Sequence, residues 1–170
     1  MRILPLLSLL FTVSITYAKG TLDVYWVDVE GGAATLVVTP AGESLLVDTG
    51  NPGTRDAGRI HKVATKVAGL KKIDHLITTH FHGDHYGGAA MLANLMPIGV
   101  VNDNGIPAKN PDRHRKNPIF PQLVKPYRDM KVGRRHVVKP GYVYPLKQVE
   151  DGLPLKVTCV AANQKLIQPP

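Results

Sequence analysis

The chain has 170 residues, 44% of them hydrophobic and 20% charged. That length suits one domain with a sizeable core, and that composition excludes a wholly disordered chain. The formal net charge is +8, and it sits in one place: between Lys109 and Lys139 there are ten basic residues and only two acids, Asp112 and Asp129.

In chain order, Arg2 precedes an apolar run from Ile3 to Ile15, and Thr16-Tyr17-Ala18 offers small residues where a signal peptidase reads. Residues 1–18 are read as a secretory signal cleaved after Ala18, which makes the protein secreted or periplasmic. The alternatives are a membrane anchor or a buried helix. The run is shorter than the roughly 20 residues that span a bilayer, and no later stretch is apolar enough, so no membrane span is expected after signal removal. Cys159 is the only cysteine. No internal disulfide can form, and the fold must rest on packing and on metal.

Residues 19–170 are read as one domain. Thr21 to Glu30 alternates, with Leu22, Val24 and Trp26 on one side and Asp23 and Tyr25 on the other, which predicts a strand. Gly31-Gly32 ends it. Strands are predicted over 34–39 and 44–48, with Pro40-Ala41-Gly42 as a turn, making an antiparallel meander. Ala57, Ile60, Val63, Ala64 and Val67 fall at helical spacing and predict a helix over 55–68, ended by Gly69. A strand is expected over 73–78, a short helix over 88–95 stopped by Pro97, and a buried strand over 98–101. From Asn102 to Gln148 seven prolines fragment the pattern. Loops and short strands are expected there, at 132–138 and 141–144, with a last strand over 155–161.

The chemistry concentrates beyond the 73–78 strand. His80-Phe81-His82-Gly83-Asp84-His85 places three imidazoles and a carboxylate within six residues. Neutral imidazole nitrogen and carboxylate oxygen suit zinc, and also iron or manganese. A lone histidine is more often structural than a ligand, but packing does not explain four such side chains on one loop. Gly87-Gly88 lets the following helix pack close.

The run from Thr78 to Gly88 resembles the HxHxDH signature of the metallo-β-lactamase superfamily. Val47-Asp48-Thr49-Gly50 resembles its DTG loop, and Asp28-Val29-Glu30-Gly31-Gly32 resembles a segment of its competence-protein-like branch. The resemblance covers Leu22 to Val101 well and the remainder weakly. It implies an α/β fold, the αββα four-layer sandwich, mainly its N-terminal half, with metals at one edge of two sheets. It also implies that His80 and His82 hold a first metal and Asp84 and His85 a second, with two zinc ions in a complete site. Asp48 is expected beneath the site, orienting ligands by hydrogen bonding. Asp84 is expected to orient the nucleophile as well, so Asp84 and Asp48 are the catalytic candidates. A metal lowers the pKa of bound water to about 7, which makes hydroxide available for attack on a carbonyl or a phosphorus.

The superfamily supplies further ligands downstream, a histidine, a bridging aspartate and a last histidine. After His85 only His114 and His136 remain, both in the basic, Pro-rich segment, and Cys159 reads as a small core residue. The expectation is a domain incomplete at its C-terminus that holds about half of a dinuclear site, binds metal weakly and turns over slowly. The leading reading is a secreted metal-dependent hydrolase acting on a small molecule or a phosphodiester, nucleic acid included, with the basic segment as an attracting rim. A lactam, lactone or thioester substrate is the alternative within the fold, and a polyanion-binding module or an inactive fragment is the alternative outside it.

Overall fold

The computed structural model describes residues 20–110, 118–150 and 152–168. The signal reading over 1–18 and the candidate ligand His114 lie outside the described residues. Within them, β1 (Asp23–Trp26), β2 (Thr35–Val38) and β3 (Ser44–Val47) form the predicted antiparallel meander. β4 (Ile73–Ile77), β5 (Ile98–Asp103) and β6 (Arg134–Val137) then add in parallel, giving a six-stranded sheet in the order β1-β2-β3-β4-β5-β6. Parallel neighbours need crossovers, and helices on one face supply them.

Register decides which side chains meet. Tyr25, Leu36, Leu46, Leu76 and Val101 form one row across the sheet. Leu36, Leu46, Leu76 and Val101 are fully buried beneath the helices, together with Ala57, Ile60 and Leu92. Burying one such leucine stabilises the fold by about 1.5–3 kcal/mol. The helical layer comprises α1 (Thr54–Lys62), α2 (Gly83–Tyr86), α3 (Ala89–Leu95), α4 (Phe120–Leu123) and α5 (Lys125–Asp129). α3 packs against both α1 and α5. Beyond Lys62, the helix predicted over 55–68 continues as a π turn over Val63–Val67, where Ala68 N–H bonds the carbonyl of Val63. The wider turn rotates Val67 off the apolar stripe, and it is exposed.

The opposite face carries Val24, Val37, Leu45 and His75 in one row. An irregular strap covers part of it, with Val138, Tyr144 and Leu146 buried against Leu45. Leu155, Val157 and Cys159 are only partly buried there, so Cys159 packs at the edge of this cluster and not within the core. The apolar stripe of β1 is on this face but outside the strap's cover, and Trp26 is 81% exposed. The α/β class holds, with a helical layer, a sheet, and the strap where the sandwich resemblance places a second sheet.

Three expectations are corrected. Within the segment where loops and short strands are expected, Phe120–Leu123 and Lys125–Asp129 instead form α4 and α5. Pro121 and Pro126 sit in the first turns, where no amide hydrogen is required. Phe120, Val124 and Tyr127, at helical spacing, are buried. No strand runs over 141–144, where a single bridge joins Val143 to Thr158. No strand runs over 155–161 either. Instead β7 (Ala161–Ala162) and β8 (Lys165–Leu166) make a small hairpin, turning through Asn163 and Gln164 at positive φ as two-residue turns require. Among the described residues no helix is long and apolar enough to cross a membrane.

Candidate metal centre

Asp48 leaves β3, and the loop from Thr78 leaves β4, at the same end of neighbouring parallel strands. Ligands commonly bind at this carboxyl end of α/β sheets. Asp48 is 2% exposed and has φ +60, a conformation that costs a non-glycine residue energy. Its contacts hold it there. Its N–H donates to the Ile77 carbonyl at 2.8 Å. Its carboxylate accepts from Thr79 N at 2.8 Å, from Thr79 Oγ1 at 2.7 Å and from His85 Nδ1 at 2.8 Å. Three donors satisfy a buried carboxylate that would otherwise be costly.

These bonds set the imidazoles. A carboxylate can only accept, so His85 carries its proton on Nδ1 and its Nε2 lone pair is free. That Nε2 lies 3.7 Å from Asp84 Oδ2. Thr79 Oγ1 gives its hydrogen to Asp48 and therefore accepts from His80 Nδ1 at 3.1 Å. The His80 lone pair is then on Nε2, which stands 3.0 Å from His82 Nδ1. A hydrogen bond across that gap then has His82 Nδ1 as its donor. Burial, followed by the adjacent His85 and His82, holds His80 below the usual histidine pKa and keeps its lone pair available. The His80 and His85 rings lie 3.9 Å apart.

The donor set fits a metal. Two nitrogens on one tetrahedral zinc, each about 2.0–2.1 Å from it, stand about 3.3 Å apart. The His80 and His82 nitrogens need to open by only a few tenths of an ångström and to exchange one proton for an ion. Asp84 Oδ2 and His85 Nε2 are within reach of a second ion. Among the described residues no group of three or more His, Cys, Asp or Glu side chains is placed to hold an ion, so the two pairs stand as pairs. His136 stacks on Tyr142 at 4.5 Å and has no contact with the four.

The loop is seated by close approaches. Thr49 N and Oγ1 both donate to the His85 carbonyl, at 2.7 and 3.0 Å, and Ala33 N donates to the Asp84 carbonyl at 3.2 Å. A Cβ at Gly88 would stand 2.2 Å from the Thr49 carbonyl, so only glycine fits. Sequence reasoning did not find Asn51 and Asp56, which fasten the loop after Asp48. Asp56 Oδ2 accepts from Asn51 N at 2.7 Å and Asn51 Nδ2 at 3.1 Å. Burial raises the Asp56 carboxyl's pKa, but bonds from Arg55 and Asn51 outweigh it and leave it below its ordinary value.

The basic segment divides. Arg135 lies over the Tyr127 ring at 4.9 Å and is committed to the helical face. Arg128, Lys131, Arg134 and Lys139 are exposed. Arg113, Arg115 and Lys116 lie outside the described residues.

A UPF0173 metal-dependent hydrolase of Cupriavidus metallidurans is 34% identical over 94 residues, 54% of this chain and 29% of the relative. One of Cupriavidus taiwanensis is 35% identical over 92 residues, 52% of this chain and 29% of the relative. The solved structure of MEM-A1, a subclass B3 metallo-β-lactamase from a soil metagenome library, superimposes with a TM-score of 0.51. It is 25% identical, over 72% of this chain and 46% of that one. The chain therefore matches less than a third of the length of these curated relatives. The family model of the metallo-β-lactamase superfamily matches residues 27–155, which hold β2 to β6 of the sheet, Asp48 and the whole histidine loop. With that match over most of its length and its metal-type donors gathered in two pairs at the carboxyl rim of the sheet, the chain belongs to the metallo-β-lactamase superfamily.

Proposed function

We propose that the protein is a metal-dependent hydrolase whose metals are held by His80 and His82 and by Asp84 and His85. The single observation that carries this is the facing of His80 Nε2 and His82 Nδ1 at 3.0 Å, with Asp84 and His85 alongside. When bound, the metal supplies Lewis acidity and a nucleophilic water at neutral pH. The chain's own residues do the rest. Asp48 keeps His85 in the tautomer that leaves Nε2 open, Thr79 does the same for His80, and Asp84 orients the attacking water. Zinc is the ion the donors suit best, with iron and manganese next.

The substrate is an anionic ester, a phosphodiester or nucleic acid, drawn in by the exposed Arg128, Lys131, Arg134 and Lys139. The protein acts outside the cytoplasm after removal of residues 1–18. Two donors per ion among the described residues support weak metal binding and slow turnover. A second reading, an acyl substrate such as a β-lactam, draws support from the likeness to MEM-A1. The test is zinc content after dialysis, followed by hydrolysis of bis(p-nitrophenyl) phosphate and of a chromogenic cephalosporin, with and without chelator. Chelator-sensitive phosphodiester cleavage is expected, slowed by salt. Cephalosporin cleavage alone would establish the second reading. Salt-sensitive polyanion binding that ignores chelator, with no cleavage, would refute both.

A further inference from the structure

Alternate side chains of the histidine loop point opposite ways. His80, His82 and His85 gather at the rim, while Phe81 and Tyr86 are 3% and 6% exposed and turn into the helical core. Both meet Tyr127 of α5. Its ring lies 5.3 Å from Phe81 and 5.7 Å from Tyr86, nearly edge-on to each, and those two rings are 5.6 Å apart. Such contacts prefer defined angles and so fix ring direction as well as fill space.

The Tyr127 hydroxyl adds a second hold. It lies 2.9 Å from Asp103 Oδ2 and 3.0 Å from Thr78 Oγ1, all three groups being buried. A phenol has one hydrogen, and the carboxylate is the stronger acceptor, so Thr78 donates to the phenol oxygen. Thr78 adjoins Thr79, which bonds both Asp48 and His80, and Asp48 bonds His85. Arg135 closes the arrangement by lying over the Tyr127 ring and donating to the Tyr127 carbonyl.

We propose that Tyr127 is a positioning residue of this centre, its ring and hydroxyl together setting the directions of the His80, His82 and His85 imidazoles. The metal part rests on the function proposed above, whereas the imidazole directions do not. Two measurements separate them. The first records imidazole ¹⁵N–¹H correlations of the metal-free chain below the onset of unfolding, for the native protein, Tyr127→Phe and Leu92→Ala. Leu92→Ala loosens the same helical core while leaving the hydroxyl network intact. The second titrates each with Co²⁺ and follows the d–d absorption.

Tyr127→Phe is expected to shift the His80 and His85 signals, to leave His61 and His136 in place, and to weaken Co²⁺ binding about tenfold, as loss of an outer partner does. Leu92→Ala is expected to leave both readouts near native. Unchanged imidazole signals in Tyr127→Phe would overturn the proposal, and so would equal shifts in Leu92→Ala, which would mark general loosening. If the native chain takes up no Co²⁺, the metal reading fails by itself and the imidazole signals still decide the positioning role.

Discussion

Two aspartates bridge the same pair of strands, β3 and β4, at opposite ends. At the amino end, Asp74 Oδ2 accepts from Ser44 N and Ser44 Oγ, both at 3.0 Å, and Lys72 lies 2.6 Å from Oδ1. At the carboxyl end, Asp48 accepts from Thr79 twice and from His85. Each carboxylate has three partners. The difference lies in what the partners leave over. Lysine and serine leave nothing but a fastened sheet, whereas an imidazole bound at Nδ1 presents a directed lone pair at Nε2. The same bonding that secures an edge at one end builds a ligand at the other, and only the second end accepts a strained backbone.

The comparison can be broken at four points. Between the two latches, Leu76 is fully buried, and Leu76→Ala should cost about 3–4 kcal/mol in a urea titration. A cost below about 1 kcal/mol would mean that the latches, and not the core, hold these strands. Asp48→Asn should weaken zinc or cobalt binding about 10–100-fold, because an amide can offer a hydrogen where His85 Nδ1 needs an acceptor. Native affinity in that variant would make Asp48 a simple fastener like Asp74.

Asp74→Asn should cost about 1–2 kcal/mol at neutral pH and leave metal affinity unchanged. Burial pushes the Asp74 carboxyl up, but bonds from Lys72 and Ser44 outweigh it and hold it below its ordinary value. A carboxyl depressed on folding contributes stability above its unfolded pKa of about 3.9. That contribution is lost as pH falls through the depressed folded value. The native–variant gap should therefore close between pH 4 and the acid limit, as read from urea midpoints, and a constant gap would contradict the assignment. Trp26→Thr, on the exposed edge of β1, should change stability by less than about 0.5 kcal/mol. A larger loss would show that the strap face extends over β1.

Legibility followed range. The meander, the helix after Asn51 and β4 are written in local periodicity, and the structure has them, with β1 stopping at Trp26, four residues before Glu30, and α1 passing into the π turn after Lys62. The histidine loop is a six-residue pattern, so its donor types are legible in the sequence alone. α4 and α5 were hidden because seven prolines suggested loop, although Phe120, Val124 and Tyr127 carry a helical spacing that could have been read. In place of the strands expected at 141–144 and 155–161, an irregular strap joined by the single bridge of Val143 to Thr158 covers the sheet's other face. Tyr144 and Leu146 do this without pairing as a ladder. Leu22, Val24 and Trp26 give the period of β1, but it is the other side, that of Tyr25, that packs on the core. Periodicity marks two faces, and only the neighbouring layers decide which one is covered.

By itself, the sequence determined the donor types, their spacing on one loop beyond a strand, and the charge gathered after Lys109. Tertiary structure decided which nitrogen of each histidine is open. That choice depends on Asp48, 31 residues before Thr79 and 37 before His85, and on the helical core below, where Tyr127 lies 49 residues from Thr78. A side chain's chemistry is local. Its tautomer and direction come from partners that only folding brings within 3 Å.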